Sequence, residues 1–202
     1  VAQYMDNAQS LFGDPSGESF FFARLDDIWS SFAATANDPS SSLLRSQALS
    51  SVEDFLNEGA RINSSIAELG RTVDTEITAN VDRINDLLDQ INKLNADISR
   101  AKLVDADASG SENIQSQLVD ELSTLMNIQI AARSDGGLII RSTEGVMLAG
   151  EGAARLTYSR TDSTKGYIAV EPEGGVGFAQ PIKIEGGEIP SEFMPLGGIA
   201  VI

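Results

Sequence analysis

The side chains available for chemistry in this chain are carboxylates, amides and hydroxyls, because its 202 residues include neither histidine nor cysteine. Those absences remove the usual general base near neutral pH, the commonest zinc ligand and any thiol nucleophile or disulfide framework. A serine–histidine or cysteine–histidine pair cannot be built. Adjacent acids such as Asp26/Asp27 and Asp120/Glu121 are the residue types of glycosidase-type acid–base work. Neighbours on a helix, however, point about 100° apart and do not face one another. Asp135 with a remote Glu is the other carboxylate option, and Asp135 falls in a turn. The sharpest local pattern is Asp105-Ala106-Asp107-Ala108-Ser109-Gly110-Ser111. It has oxygen ligands at the first, third and fifth positions of a calcium loop and glycine at the sixth. The twelfth position, which needs a bidentate glutamate, is Ser116. The segment therefore reads as a polar loop whose Ser111 caps the next helix. Gly174-Gly175-Val176-Gly177 has no phosphate-loop lysine and reads as a turn. No catalytic, cofactor-binding or metal-ligating residue is expected.

These polar residues are mounted on a periodic apolar pattern. Ile62, Ile66, Leu69, Val73, Ile77, Val81, Ile84, Leu88, Ile91, Leu94 and Ile98 follow at steps of three or four, 36 residues in ten steps. The mean of 3.6 is the repeat of a straight α-helix with one face seeking burial. A helix from about residue 41 to 100 is predicted, on the order of 90 Å long if unbroken. Ser40, Ser41 or Ser42 can cap it, and Gly59 and Gly70 are the places where it could bend.

Before it, Val1 to about Phe12 forms a short helical candidate, ended by Gly13-Asp14-Pro15-Ser16-Gly17. Phe21, Leu25, Ile28 and Phe32 then recur at helical spacing, widened by Phe22 and Trp29, until Asn37-Asp38-Pro39 stops the helix. The Phe20-Phe21-Phe22 run with Trp29 and Phe32 could form a membrane-surface wedge, but its only basic neighbour is Arg24. The helical spacing instead predicts burial against the long helix, and a 3.6 repeat favours that packing over a supercoiled homodimer.

After a loop at residues 102–111, a helix from about Glu112 to Asn127 presents Ile114, Leu118, Leu122 and Leu125 on one face. Glycine then becomes frequent, with thirteen in residues 128–202 against five in residues 1–127. Strands are predicted at Ile128–Ile130, Leu138–Arg141, Val146–Leu148, Arg155–Tyr158, Tyr167–Val170 and Gly177–Ile184. Ser134-Asp135-Gly136-Gly137 turns the first hairpin. The expected fold class is α+β: an elongated antiparallel helical bundle with one very long helix, followed by antiparallel β-hairpins. Residues 1–127 form the helical domain, and residues 128–202 either pack on the helices or open an outer domain. The formal net charge of −16 argues against nucleic acid and anionic membranes as partners. No apolar run approaches the roughly 20 residues of a membrane span. The chain starts at Val1 without an initiator Met and reads as an excised piece of something longer.

Three stretches carry a resemblance. They are Arg24-Leu25-Asp26-Asp27-Ile28-Trp29-Ser30-Ser31-Phe32 with Ala36–Ser40 and Arg45–Leu49; the helix Val81–Arg100; and Gln117-Leu118-Val119-Asp120-Glu121-Leu122-Ser123-Thr124-Leu125-Met126-Asn127 followed by Asp135-Gly136-Gly137. In order and spacing, over roughly residues 8–160, the chain resembles the bacterial flagellar hook-associated proteins of the hook–filament junction, the FlgK family. The Asp-Glu-Leu-Ser helix and hairpin favour that family over flagellin or the second junction protein. It departs from the family at Asn113–Gln117, which reads Asn-Ile-Gln-Ser-Gln where a Leu-Leu-Asp-Gln-Arg-Asp run is usual. Past Tyr158 the resemblance thins to Gly-Gly elements near Gly186 and Gly197.

The resemblance implies a non-enzymatic structural adaptor outside the cell, exported through the type III channel. Its partners would be the hook protein, the second junction protein and copies of itself in the full polymer. The family's terminal helices are absent here, so the fragment itself is expected to be monomeric. The competing class is a secreted coiled-coil scaffold, or another flagellar axial protein. The residues expected to pack helices together are Phe21, Leu25, Ile28, Trp29, Phe32, Ile62, Ile66, Leu69, Val73, Ile77, Ile84, Leu88, Ile91, Leu94, Ile98, Leu118, Leu122 and Leu125.

Overall fold

The computed structural model describes residues 2–15, 17, 20–160, 166–171 and 180–181. Four helices come first: α1 (Ala2–Ser10), α2 (Ala23–Asn37), α3 (Ser42–Leu103) and α4 (Ser109–Leu125). Six strands follow: β1 (Ile128–Ala132), β2 (Leu138–Ser142), β3 (Met147–Ala149), β4 (Arg155–Arg160), β5 (Gly166–Glu171) and β6 (Gln180–Pro181). They form two antiparallel sheets, β1-β2-β3 and β4-β5-β6. The class is α+β. Most of the last predicted strand, Gly177–Ile184, lies outside the described residues, as do the Gly-Gly elements near Gly186 and Gly197.

The compact units do not divide where the composition does. Residues 1–75 form one and residues 76–202 the other, so the division falls inside α3. That helix runs unbroken for 62 residues through both Gly59 and Gly70. Its start is capped by Ser41, whose Oγ accepts the Leu44 N–H at 3.4 Å. Asp38 ends α2 and its carboxylate accepts the Ser40 N–H and hydroxyl.

In the first unit α2 lies antiparallel to the beginning of α3. The Thr35 hydroxyl donates to Leu44 O at 3.0 Å, and the Ser31 and Ser51 hydroxyls meet at 2.8 Å. The Phe21 ring stacks on Phe55, with centroids 4.8 Å apart. Phe12 packs edge-on to Phe21, and the Phe21 N–H donates to Phe12 O at 2.8 Å.

The second unit holds the larger core. Val81, Ile84, Leu87, Leu88 and Ile91 of α3 pack with Val119, Leu122 and Met126, and with Ile140, Leu148, Leu156, Ile168 and Val170 of the two sheets. Burial of each large aliphatic side chain contributes roughly 1.5–3 kcal/mol. Helix α4 runs antiparallel to α3, with Arg83 bonded to Glu121 and Asn95 to Gln115. Among the described residues no helix is long and apolar enough to cross a membrane.

Candidate assembly surface

The expected packing residues separate into three groups. Ile62, Ile84, Leu88, Ile91, Ile98 and Leu122 are buried. Phe21, Ile28, Leu69, Val73, Ile77, Leu94, Leu118 and Leu125 are half-buried, and Ile77, Leu118 and Leu125 lie against the main core. Leu25, Trp29, Phe32 and Ile66 are exposed, which departs from the burial their spacing predicts. For α2 the cause is rotation: the face turned to α3 runs through Phe21, Ile28, Ser31 and Thr35, where two hydroxyl contacts fix the approach. Burying Trp29 would turn those hydroxyls away from their partners. Ile66 lies just over one turn beyond Arg61, whose guanidinium donates to Leu11 O at 3.4 Å.

The most ordered polar feature is a pair of asparagines on α3 that bond strand main chain. Asn95 is almost wholly buried. Its Nδ2 donates to Leu138 O (2.8 Å) and Gly150 O (3.3 Å), while its Oδ1 accepts the Leu138 N–H (2.7 Å) and Gln115 Nε2 (2.8 Å). Asn85 repeats the pattern one sheet further on, with Nδ2 donating to Leu156 O at 2.9 Å and Oδ1 accepting the Leu156 N–H at 2.7 Å. Each side-chain amide thus meets both backbone groups of one strand residue, as a neighbouring strand would. Gly137 fits closely beneath this arrangement: its φ is +83°, and a Cβ there would stand 2.4 Å from Asn95 Oδ1. Spacing did not reveal Asn85, Asn95 or Gln115, since polar residues between stripe positions read as solvated. Gln115 belongs to the Asn113–Gln117 departure from the family pattern.

Two of the candidates for chemistry, Asp135 and Asp107, are tied up locally. Asp135 pairs with Arg133 through two bonds of 3.0 and 2.7 Å, and Arg133 Nη1 donates to Gly150 O at 2.6 Å. The Arg133 hydrogen bonds hold the Asp135 carboxyl below the usual aspartate range, and Arg133 is raised in turn. A carboxylate held ionised at neutral pH is poorly matched to general acid–base work there. The adjoining cleft, about 260 Å³, is lined by Asn92, Asn95, Ser99, Arg133, Asp135 and Glu151 among others. In the Asp105–Ser111 loop, Asp107 accepts the Ser109 N–H at 2.9 Å and the Ser109 hydroxyl, which lower its pKa. Helix α4 therefore begins at Ser109, and Asp107 rather than Ser111 serves its first turn. Among the described residues no three His, Cys, Asp or Glu side chains gather to hold a metal.

Comparison with known proteins gives one answer. The family model for the flagellar hook-associated protein FlgK helical domain matches residues 5–193, well past the Tyr158 where the resemblance thins by eye. Flagellar hook-associated protein 1 of Bacillus subtilis is 24% identical over 123 residues, 61% of this chain and 24% of its own length. That of Salmonella typhimurium is 26% identical over 184 residues, 89% of this chain and 32% of its own length. The chain thus spans about a quarter to a third of these relatives. The flagellar hook junction protein FlgK from Burkholderia pseudomallei shares the fold, with a TM-score of 0.75 at 18% identity, over 98% of this chain and 34% of that one. With both sequence and fold in agreement, the chain belongs to the FlgK family of flagellar hook-associated proteins, matching its helical domain.

Proposed function

We propose that this chain is the helical part of a structural adaptor that joins hook to filament in the bacterial flagellum, without enzymatic activity. Family membership over residues 5–193 carries the reading. The internal chemistry supports it: buried polar groups such as Asn95 and Gln115 fasten main chain and helices, and the carboxylate beside the cleft is neutralised by Arg133. Such a protein works outside the cell after export through the type III channel. Its partners are the hook protein, the second junction protein and further copies of itself.

The test is complementation. In a bacterium lacking its own junction protein, the full-length protein containing this segment should restore swimming and filaments that stay attached. Intact hooks with filament protein shed unassembled into the medium, despite normal export of the complementing protein, would overturn the reading.

A further inference from the structure

Asp135-Gly136 is the only Asp-Gly step in the chain, and no Asn-Gly step occurs. A glycine after aspartate has no Cβ beside its amide nitrogen, so that nitrogen can close on the aspartyl carboxyl. In this reaction the Gly136 nitrogen attacks Cγ of the uncharged carboxyl. An N–Cγ bond forms, the Cγ–OH bond breaks, and the hydroxyl leaves as water with the amide proton. A second water then opens the resulting succinimide. Cleavage of the new N–Cγ bond restores aspartate. Cleavage of the original peptide C–N bond leaves the main chain running through Cβ and Cγ, as isoaspartate.

Position favours that sequence here, since the Asp135 side chain is 48% exposed and lies in the turn joining β1 to β2. The side-chain geometry opposes it. Arg133 Nε and Nη2 donate to Oδ1 and Oδ2 at 3.0 and 2.7 Å, so both carboxylate oxygens are held. The guanidinium is itself anchored, with Nη1 on Gly150 O at 2.6 Å and only 19% of the side chain exposed. Such a fork fixes the plane of the carboxylate as well as its charge. To react, the carboxyl must leave both nitrogens and take up a proton. The Gly136 N–H must also leave Arg133 O, to which it donates at 3.3 Å.

The surroundings show what the product would disturb. Isoaspartate lengthens the main chain by one methylene. Gly136 is buried against α3, where a Cβ would stand 2.8 Å from Lys102 Cδ and 3.2 Å from Ile98 Cγ2. Its carbonyl accepts the Ser99 hydroxyl at 3.2 Å. A close-packed contact of this kind has no space for the extra carbon. We propose that Asp135-Gly136 is a latent isoaspartate site, kept in its aspartyl form by the Arg133 fork. This assignment does not depend on the junction reading.

The experiment ages the 202-residue chain at neutral pH and measures isoaspartate at residue 135 by peptide mapping. The folded parent should accumulate it far more slowly than the same chain held unfolded in urea. Arg133→Gln, with β1 and β2 shown intact by hydrogen exchange, should accumulate it about threefold to fivefold faster than the folded parent. Arg100→Gln, which removes an exposed arginine paired with Asp97, should keep the parent rate. A second variant, Asp135→Asn, separates the fork from the turn backbone, because its amide closes the same ring with ammonia as the leaving group. Its ratio of folded to unfolded rates should rise well above that of the aspartyl chain. The proposal is overturned if the parent isomerises as fast folded as unfolded, or if Arg133→Gln with an intact hairpin keeps the parent rate. Should Arg133→Gln open the hairpin, the Asp135→Asn ratio decides: a rise supports the fork, and an unchanged ratio assigns the protection to the turn backbone and overturns the proposal.

Discussion

Asn95 satisfies four hydrogen-bonding groups on α4, β2 and the Gly150 segment at once. Replacing it by leucine keeps the volume and removes this partner from the Leu138 N–H and C=O and from the Gln115 amide, while Gly150 O retains Arg133. We predict that Asn95→Leu lowers unfolding stability by about 3 kcal/mol, within the range for several orphaned groups, as read by urea denaturation. The Asp135 pair makes a smaller and pH-dependent contribution. Its carboxyl titrates lower in the folded chain than the ordinary value of 3.8, so the stabilisation is complete above that value. It is lost as pH falls through the lowered folded value. Comparing denaturation midpoints at neutral pH and near pH 3, Asp135→Asn should show a smaller acid-induced drop than the parent, and equal drops would contradict the assignment. Asp135 stood out as a turn carboxylate, but Asn95 did not announce itself. An asparagine between apolar stripe positions has the same sequence signature whether it meets water or a strand 43 residues away, because its partner is main chain.

Elements were far more legible than the surfaces they bury. The 3.6-residue stripe, the Asn37-Asp38-Pro39 stop and the Asp135-Gly136-Gly137 turn placed the helices and first hairpin within a few residues of where they stand. Helix α2 shows where that reading runs out. Its apolar residues define a face, but the face meeting α3 is the one whose small hydroxyl side chains permit approach. Apolar periodicity says which side of a helix avoids water, and not whether its own chain supplies the cover. The α3 stripe should accordingly respond unevenly to charge. Leu88→Asp, at a fully buried position, is expected to abolish cooperative unfolding, whereas Ile66→Asp, 43% exposed, should change stability by under about 1 kcal/mol. Similar losses at both sites would show that Ile66 is packed. Gly70 has open space around its Cα hydrogen and sits in a helix interior. Gly70→Ala should therefore raise stability by about 1 kcal/mol, measurable as a higher urea midpoint at unchanged slope.

For the whole molecule, net charge is the clearest physical constraint. At −16, chains repel one another at long range, more weakly as salt rises. Light scattering at micromolar concentration should give a mass near the 21.4 kDa of one chain; a stable ring under those conditions would contradict the expectation. The division of contacts at residues 75/76 was not visible in composition, which changes at the first strand. The reason is that α4 and both sheets share one core with the second part of α3, so helical and strand-rich sequence fold together.

The asparagine contacts also bear on how such a chain can diverge. Asn85 and Asn95 take hold of N–H and C=O groups, which every residue but proline possesses in full. Attachment of the strands at Leu138 and Leu156 is therefore indifferent to the side chain being gripped, and only the core sets limits there. Sequence can drift across these hairpins while their moorings persist.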